Sequence, residues 1–458
     1  MMREPSTPRP LGDQRTAAPN VPPSDSILAG RRVAIVTFGC RVNQYESAMM
    51  ARTLSLLGAE VVDDAADVVI LNACTVTALA ERKARQAARQ VRAAGPAAVV
   101  LIGCLADAVE RGVTRFAEAD LIAGNCWKAR VGEVVAAAIG GRRGLLPRAP
   151  LLPLDAERAA APTARVRAYL KVQEGCAHAC TYCRPTLVRG PSRSKSLAVA
   201  FEEAAELVRS GVPEIVVTGV DLAAYGDSTV SLPTLLGRLL ELPDLRRLRI
   251  ASLNVDGVTD RLLEVFRRDS RLCRHLHIPA QSGDDAVLAA MGRRYTTTAY
   301  RAAIERAREA LPQATFGTDL MVGFPGETEE AFDHTCRLVE DVRFSNLHVF
   351  RFSPRPGTPA AAFADAVPSP VQRSRAGRVL DAWRPGLGRL LDGRIGTVED
   401  VLVEDRSGGR YHGYTSDYIR VAFDSPTLRP IGRECPVRIA RAAAEGLEGV
   451  SEDRDDPD

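Results

Sequence analysis

The sequence of 458 residues contains no apolar run long enough to span a bilayer, and it contains little lysine. Lysine occurs only at Lys83, Lys128, Lys171 and Lys195, and arginine supplies every other basic side chain. The first 30 residues lack the apolar segment of a secretory signal and are rich in proline and polar residues, which predicts a disordered tail. The formal net charge is only +3, so overall charge indicates no particular partner.

Ten cysteines without an export signal indicate metal binding or catalysis rather than disulfide bonds. Cytosolic thiols stay reduced, so clustered cysteines in such a protein need another role. We therefore expect a cytoplasmic protein in which some cysteines form a metal site.

The order of apolar runs predicts an α/β protein with three parts. Strands alternate with helices over residues 31–143, which predicts a parallel sheet. A linker rich in proline and alanine over 144–165 leads to a second alternation over 166–392, where about six βα units predict a partial barrel. Short strands separated by glycines over 393–450 predict a small β-barrel, and an acidic tail follows over 451–458.

Three closely spaced cysteines follow the first strand of the predicted partial barrel. Cys176, Cys180 and Cys183 are separated by three and two residues. Three thiolates can hold three irons of a four-iron cluster and leave the fourth iron open for a ligand. The alternative is a structural zinc site that combines these cysteines with His178 or a distant cysteine. The spacing favours the cluster, at the end of the barrel strands where active sites lie.

Three further cysteines each stand at the end of a predicted parallel strand. They are Cys40, Cys74 and Cys104. Because the carboxyl ends of parallel strands lie along one edge of a sheet, these three residues can converge. The alternative is that they are ordinary buried core cysteines. Their equivalent positions favour a shared site.

Several segments resemble the radical-SAM methylthiotransferase family. They follow one another over about residues 32–440 and read TFGCRVNQYES, NACTVT, LIGC, KVQEGCAHACTYCRPTLVRGPSRSKS, RHLHIPAQSGDDAVLAAMGRRYT, TDLMVGFPGETEEAF and RFSPRPGTPAA. The resemblance implies that the partial barrel holds a [4Fe–4S] cluster on the three-cysteine loop. This cluster would bind S-adenosylmethionine (SAM), whose reductive cleavage yields a 5′-deoxyadenosyl radical. The resemblance also implies a second [4Fe–4S] cluster on Cys40, Cys74 and Cys104 that handles sulfur.

The resemblance further implies which strand ends form the SAM pocket. The residues concerned are Thr218, Gly219, Gln281, Gly323, Pro325 and Gly326. The first two correspond to the segment that holds the SAM amino group, and the last three form a loop expected near the adenine. A plain tight turn is the alternative explanation for each glycine-containing motif.

The sequence departs from the usual family pattern at three places near this pocket. Arg184 and Pro185 follow the last loop cysteine, where two aliphatic residues and then a proline are usual. Asp221 replaces a usual Asn or His, and Asn254-Val255 stand where a Glu-Pro pair is usual. These departures concern SAM geometry and substrate choice and leave the cluster cysteines intact.

The C-terminal strands resemble a TRAM domain, which is a small RNA-binding β-barrel. Tyr411, Tyr414, Tyr418 and Arg420 are interleaved in one strand-like segment, a pattern that suits stacking on unpaired bases. The alternative is that the tyrosines only cover the barrel.

The resemblance implies a cytoplasmic enzyme that acts on the anticodon loop of tRNA and receives electrons from a donor such as flavodoxin or ferredoxin, with no membrane or DNA partner. The segment TFGCRVNQYES is similar to the branch that methylthiolates C2 of N6-threonylcarbamoyladenosine (t6A). Isopentenyladenosine in tRNA, a ribosomal-protein aspartate and a non-catalytic, metal-stapled RNA-binding protein are the alternatives. The threonyl carboxylate of t6A requires a cation, for which Arg189, Arg193 and Arg294 are candidates by location.

Overall fold

The computed structural model describes residues 27–76, 78–161 and 166–452. Most of the predicted N-terminal tail, most of the predicted acidic tail and the last four residues of the predicted linker lie outside the described residues. The predicted fold class is confirmed: a parallel α/β layer is followed by a partial parallel barrel and a closed β-barrel. The exact domain limits remain predictions. Within the described ranges, no helix is long and apolar enough to cross a membrane.

The first sheet has six parallel strands in the order β2-β1-β3-β4-β5-β6. The strands are β1 (Arg32–Thr37), β2 (Glu60–Val61), β3 (Val68–Asn72), β4 (Ala98–Ile102), β5 (Leu121–Ala123) and β6 (Gly144–Leu145). The helices of this part are α1 (Arg41–Leu56), α2 (Ala78–Ala93), α3 (Cys104–Glu110) and α4 (Val131–Ile139). Ile70 and Val100 pack with α1 and α4 on one face. Leu71 and Leu101 pack with α2 and α3 on the other, so both faces of the sheet are covered.

The central barrel has six parallel strands in two three-stranded sheets, which single bridges join between Leu248 and Leu272 and between Ser252 and His277. These strands are β7 (Arg167–Lys171), β10 (Glu214–Thr218), β11 (Arg247–Ile250), β12 (His275–His277), β13 (Thr315–Val322) and β14 (Asn346–Arg351). A short antiparallel pair lies beside them and consists of β8 (Gln173–Glu174) and β9 (Arg193–Ser194). The helices are α5 (Pro185–Arg189), α6 (Leu197–Arg209), α7 (Leu232–Leu239), α8 (Asp260–Arg268), α9 (Asp285–Ala290), α10 (Thr297–Ala310), α11 (Glu329–Val342) and α12 (Ser369–Asp392). The six predicted strands are all present.

The sequence analysis missed α12, which has 24 residues. Pro385 lies inside this helix, and an internal proline usually predicts a break. Tertiary contacts on two sides hold the helix instead. Trp383 donates its indole N–H to the carbonyl of Phe344 at 2.6 Å, while Leu387 and Leu391 belong to the core of the C-terminal barrel.

The C-terminal barrel is closed by five strands in the order β15-β16-β17-β19-β18. They are β15 (Val398–Ser407), β16 (Arg410–Tyr414), β17 (Arg420–Asp424), β18 (Glu434–Ala443) and β19 (Gly446–Ser451). The segment that the sequence analysis treated as one strand-like run is therefore two strands. The chain turns between them at Tyr418, whose φ is +69°.

This barrel docks on the N-terminal ends of the central strands, opposite the end that carries the cysteine loop. Arg247 donates to the carbonyls of Asp400 at 2.8 Å and Tyr414 at 3.0 Å. Arg249 donates to the carbonyl of Ser416 at 3.0 Å. Both arginines donate to backbone carbonyls of the C-terminal barrel, so charged, directional hydrogen bonds join the two barrels.

The tyrosines predicted to stack on RNA bases do not lie on an open surface. Tyr411 is buried in the barrel core and stacks on Phe423 with ring centres 5.5 Å apart. Tyr414 and Tyr418 stack on each other at 4.9 Å, and the Arg249 guanidinium lies 4.7 Å from the Tyr418 ring. These tyrosines therefore cover the barrel and its contact with the central barrel, as the alternative interpretation held.

Glu214 is the charged centre of this contact. It is fully buried and accepts hydrogen bonds from Arg167 at 2.6 Å and Arg249 at 2.8 Å. Burial alone would raise the pKa of Glu214, but Arg249 and Arg167 lower it to about 2. The ion pair therefore stabilises the fold above the usual glutamate pKa of 4.5, and this stabilisation is lost as the pH falls towards about 2.

We expect Glu214→Gln to lower the free energy of unfolding by about 3 to 5 kcal/mol at pH 7, because the buried Arg249 would lose its carboxylate, while the partly buried Arg167 would keep only Glu404. Urea denaturation measures this change. The matched control is Glu241→Gln, which removes an exposed partner of Arg238 and should cost less than about 1 kcal/mol. Equal losses in the two variants would show that Glu214 does not stabilise the contact.

Candidate functional site

The loop that carries Cys176, Cys180 and Cys183 leaves the C-terminal end of β7 and is closed at its base by β8 and β9. Gly175 begins the loop with φ +75°, and a Cβ at this position would lie 2.0 Å from the carbonyl oxygen of Pro191. Only glycine fits such a close backbone approach. The structure therefore places the loop at the active end of the barrel, as the sequence analysis expected.

Burial and mutual repulsion raise the pKa of the loop thiols Cys176 and Cys183. Burial, together with repulsion from Asp221 and Cys180, raises the pKa of Cys176 to about 11. Burial also raises the pKa of Cys183 to about 12, with added repulsion from Cys180 and Cys176. Such thiols stay protonated at neutral pH unless a bound metal displaces the proton.

The other three predicted cysteines meet at the C-terminal edge of the first sheet. Cys40 directly precedes α1, Cys74 lies two residues after β3, and Cys104 is the first residue of α3. A Cβ on Gly39 would lie 2.3 Å from the Cβ of Cys74, which shows how closely the strand ends approach. Burial raises the pKa of Cys74 to about 12, with further repulsion from Cys104 and Cys40.

In neither triad do all three sulfurs lie as close together as a tetrahedral zinc ion would hold them. Among the residues that the structure describes, neither triad brings all three sulfurs within 4.8 Å of one another. A tetrahedral zinc with Zn–S bonds of about 2.3 Å would hold its sulfurs only about 3.8 Å apart. Thiolates on separate irons of a cluster stand further apart. The compact group that the loop does form is Cys176, His178 and Asp221, which includes only one of its cysteines.

Two of the departures from the family pattern contact each other. Asn254 donates its side-chain N–H to Asp221 at 2.8 Å, and the Asp221 carboxylate lies 3.7 Å from the sulfur of Cys176. Arg293 donates to the Asn254 oxygen at 3.0 Å and to the sulfur of Cys180 at 3.5 Å. The usual family pair places the carboxylate at position 254 and the neutral group at 221. This chain has exchanged them, so the two substitutions compensate each other.

The third departure, Arg184, connects the two cysteine triads. Its side chain is buried and donates to the Thr75 hydroxyl at 2.8 Å and to Glu81 at 2.6 Å. Arg184 directly follows the last loop cysteine, and Thr75 directly follows the second cysteine of the sheet edge. Arg355 also donates to the carbonyl of Thr75 at 3.0 Å and to Glu81. Two buried arginines therefore share one carboxylate between the triads.

A buried ion network lies beside both triads and joins the first sheet to the central barrel. Arg189, at the end of α5, donates to the sulfur of Cys104 at 3.1 Å, to Glu46 at 2.9 Å and to Glu174 at 2.7 Å. Lys171 pairs with the same two carboxylates at 3.0 and 2.6 Å. Three cations face three carboxylates in the full network, which consists of Arg189, Lys128, Lys171, Glu46, Glu157 and Glu174.

This network was not predicted from the sequence, although the four lysines of this arginine-rich chain could have drawn attention to its positions. Lys128, Lys171 and Lys195 are all at most 2% exposed, and each pairs with a buried glutamate. Only Lys83 lies on the surface.

The predicted SAM residues of β10 border the cysteine loop. A Cβ on Gly219 would lie 2.9 Å from the Cβ of Gln173, so the glycine lets the two segments pack closely. The Gln173 side-chain oxygen accepts hydrogen bonds from the backbone N–H groups of Val220 at 2.9 Å and Asp221 at 2.7 Å. The turn after Thr218 is therefore fixed against the base of the loop.

The other predicted SAM residues follow β12 and β13. Gln281 has φ +65°, which is an uncommon conformation for a residue other than glycine. Gly323 has φ +75°, and a Cβ there would lie 2.3 Å from Gln372 of α12. The loop continues through Pro325 and Gly326, and its neighbour Phe324 packs in the same hydrophobic cluster as Tyr182 of the cysteine loop. The segment after β13 therefore packs against the cysteine loop.

Comparisons with known proteins decide the family. Residues 170–339 match the Radical SAM superfamily, and residues 32–124 match the Uncharacterized protein family UPF0004. The chain is 36% identical to the threonylcarbamoyladenosine tRNA methylthiotransferase MtaB of Thermotoga maritima, over 91% of this chain and 96% of that protein. The chain belongs to the radical-SAM tRNA methylthiotransferase family. The resemblance seen in the sequence motifs is thus confirmed.

Two further comparisons concern a relative from another tRNA branch and a solved structure. The methylthiotransferase chain is 34% identical to a tRNA-2-methylthio-N(6)-dimethylallyladenosine synthase of Syntrophobacter fumaroxidans, over 92% of this chain and 96% of that protein. Among solved structures, the radical S-adenosylmethionine methyltransferase TsrM of Kitasatospora setae has a TM-score of 0.54 and 16% identity, over 72% of this chain and 75% of that one. The latter likeness shows a shared fold.

We expect Glu81→Gln to destabilise the methylthiotransferase by about 3 to 5 kcal/mol, because Arg184 and Arg355 would remain buried without a carboxylate. Urea denaturation measures the loss. Glu202→Gln is the control, since Glu202 is an exposed partner of Arg158 and its loss should cost less than about 1 kcal/mol. A Glu81 variant as stable as this control would contradict the proposed link between the triads.

Proposed function

We propose that this protein is a radical-SAM enzyme that adds a methylthio group to C2 of t6A beside the tRNA anticodon. The observation that carries the proposal is the meeting of two separate cysteine triads at one site. Methylthiolation of a carbon requires both a radical and a source of sulfur, and two clusters provide one role each. Relatives named for this reaction match nearly the whole chain.

The proposal gives each triad a different cofactor. Cys176, Cys180 and Cys183 hold the [4Fe–4S] cluster that binds SAM, and Cys40, Cys74 and Cys104 hold the second [4Fe–4S] cluster. Together the first cluster and SAM supply a 5′-deoxyadenosyl radical, which suits an adenine C2–H that is neither acidic nor electrophilic. The SAM-binding residues are proposed to be Thr218, Gly219, Gln281, Gly323, Pro325 and Gly326. The unusual φ of Gln281 supports a binding role, because strained residues cluster at ligand sites.

The chain's own polar groups would hold both triads in position. Asp221 and Arg293 contact the sulfurs of Cys176 and Cys180 from two sides, and Asn254 joins them. On the sheet side, Arg189 donates to the sulfur of Cys104. Positive groups next to thiolates stabilise their negative charge, so Arg293 and Arg189 would favour cluster binding, whereas the Asp221 carboxylate opposes the thiolate of Cys176.

The choice of t6A depends on local residues, because relatives of both tRNA branches match the chain over a similar length. The segment from Arg41 to Tyr45 is similar to the t6A branch. Two arginines, Arg293 and Arg294, line a cleft beside the loop next to Cys180. Their positive charge favours a substituent that carries a carboxylate, as t6A does.

An anticodon loop is a suitable partner for a barrel mouth. Its bases are unpaired, so a modified adenosine can enter the site without the melting of a helix. The proposal includes a cytoplasmic location, where tRNA is found, and an external one-electron donor such as flavodoxin or ferredoxin. It includes no DNA or membrane partner.

Single changes of Cys176, Cys180 or Cys183 to Ala should each abolish reductive SAM cleavage, because a three-thiolate site has no spare ligand. The measurement is 5′-deoxyadenosine formation by anaerobically reconstituted protein, together with its iron content, which should fall by about half. The triple change of Cys40, Cys74 and Cys104 to Ala is the counterpart. It should retain SAM cleavage and stop thiolation. Methylthio product from the triple variant would rule out the sulfur role of the second triad.

The substrate is tested with two anticodon stem-loops, one carrying t6A and the other isopentenyladenosine. The reconstituted enzyme should methylthiolate only the t6A stem-loop, and mass spectrometry of the digested nucleosides measures the product. Turnover of the isopentenylated RNA alone would overturn the substrate proposal and leave the family unchanged.

A further inference from the structure

We propose that Arg294 binds the threonyl carboxylate of t6A and thereby selects the substrate. This inference rests on the proposed function. It concerns the cleft beside the cysteine loop, where Arg294 shares the rim with Arg293 and Cys180.

The cleft has the size and charge that a carboxylate needs. Its volume is about 60 Å³, which is enough for several water molecules and so for a carboxylate with its neighbouring atoms. Its charged lining consists of Arg293, Arg294 and Asp256, with His178 and Asn254 beside them. Because the two arginines outnumber the single carboxylate of Asp256, the lining of the cleft carries an excess of positive charge.

The other arginines near the site already have partners. Arg189 is buried and pairs with Glu46 and Glu174. Arg193 donates to the carbonyl of Leu152 at 2.8 Å. Two of the three cations that the sequence analysis considered for the carboxylate therefore have other roles.

Arg293 is also occupied, although it lines the cleft. Its three nitrogens donate to the Tyr295 hydroxyl at 3.2 Å, to the sulfur of Cys180 at 3.5 Å and to Asn254 at 3.0 Å. Arg294 differs, because its side chain is exposed and has no hydrogen-bond or ion-pair partner within residues 27–76, 78–161 and 166–452. It is thus the cation of this cleft that remains available to a ligand.

The geometry of the nucleoside explains why this position would matter. C6, whose exocyclic N6 carries the threonylcarbamoyl group, and C2 lie on either side of N1 in the same ring. An anchor on the N6 substituent therefore orients C2. Arg293, the next residue in the chain, contacts the sulfur of Cys180, so the anchor would be fixed relative to the loop cysteines. A planar guanidinium binds a carboxylate through two parallel bonds, which adds direction to the attraction.

The test compares the holoenzyme with its Arg294→Gln variant on three stem-loops, which carry t6A, the methyl ester of t6A and unmodified adenosine. Binding is measured by fluorescence anisotropy, and kcat/KM is measured in parallel. Arg294→Gln should weaken t6A binding by about 10- to 100-fold, the range expected for a lost charged hydrogen bond, and Arg294→Lys should restore part of it. The ester should bind the parent enzyme as weakly as t6A binds the Gln variant, and it should not distinguish the two proteins.

Arg246→Gln is the matched control, since Arg246 is an exposed arginine that directly precedes β11, at the opposite end of the barrel. It should bind all three RNAs like the parent. Equal affinity of the parent for t6A and its ester would overturn the role of Arg294, and so would a preference for t6A over the ester that is unchanged in Arg294→Gln. In either case, t6A turnover by the parent would still support the proposed function. A parent that fails to methylthiolate t6A would overturn both.

Discussion

The buried carboxylate of Glu46 is the group on which the arrangement of the candidate site depends. It is 1% exposed, and Arg189, Lys171 and Lys128 all pair with it. A buried charge is strongly unfavourable unless its partners are in place. Lys128 comes from the same part of the chain as Glu46, but Arg189 and Lys171 belong to two segments of the central barrel, so Glu46 gains these two partners only when the first sheet lies against that barrel in the observed orientation. In that orientation its cysteine edge faces the cysteine loop.

A similar buried carboxylate holds the C-terminal barrel at the other end of the central strands. Glu214 pairs with Arg167 and Arg249, and the same arginines contact Tyr414 and Tyr418. The two carboxylates thus fix one neighbour at each end of the central barrel. The small barrel docks at the N-terminal ends of the central strands and therefore does not cover the opposite end of the central barrel, where the cysteine loop lies. An RNA-binding surface on the small barrel must therefore lie outside its tyrosine cluster.

Local signals in the sequence predicted the strands and both cysteine triads, because strand periodicity and strand-end positions depend on neighbouring residues alone. The long helix that contains Pro385 was missed, since tertiary packing outweighs the local effect of the proline. The compensation between Asp221 and Asn254 could not be predicted either, because these residues are 33 positions apart and meet only in the folded barrel. Burial of Tyr411 and its neighbours likewise depends on which surface the small barrel presents to its partner. The assignment of SAM contacts remains a prediction.

Two clusters at one site, separated by the buried side chains of Arg184 and Arg189, should influence each other magnetically. The most direct test is the electron paramagnetic resonance spectrum of the fully reduced, reconstituted enzyme. It should be compared with the spectra of two variants, each lacking one triad. We expect the parent spectrum to be broadened by magnetic coupling and to differ from the sum of the two variant spectra. A parent spectrum equal to that sum would show that the two clusters are isolated from each other and do not share one site.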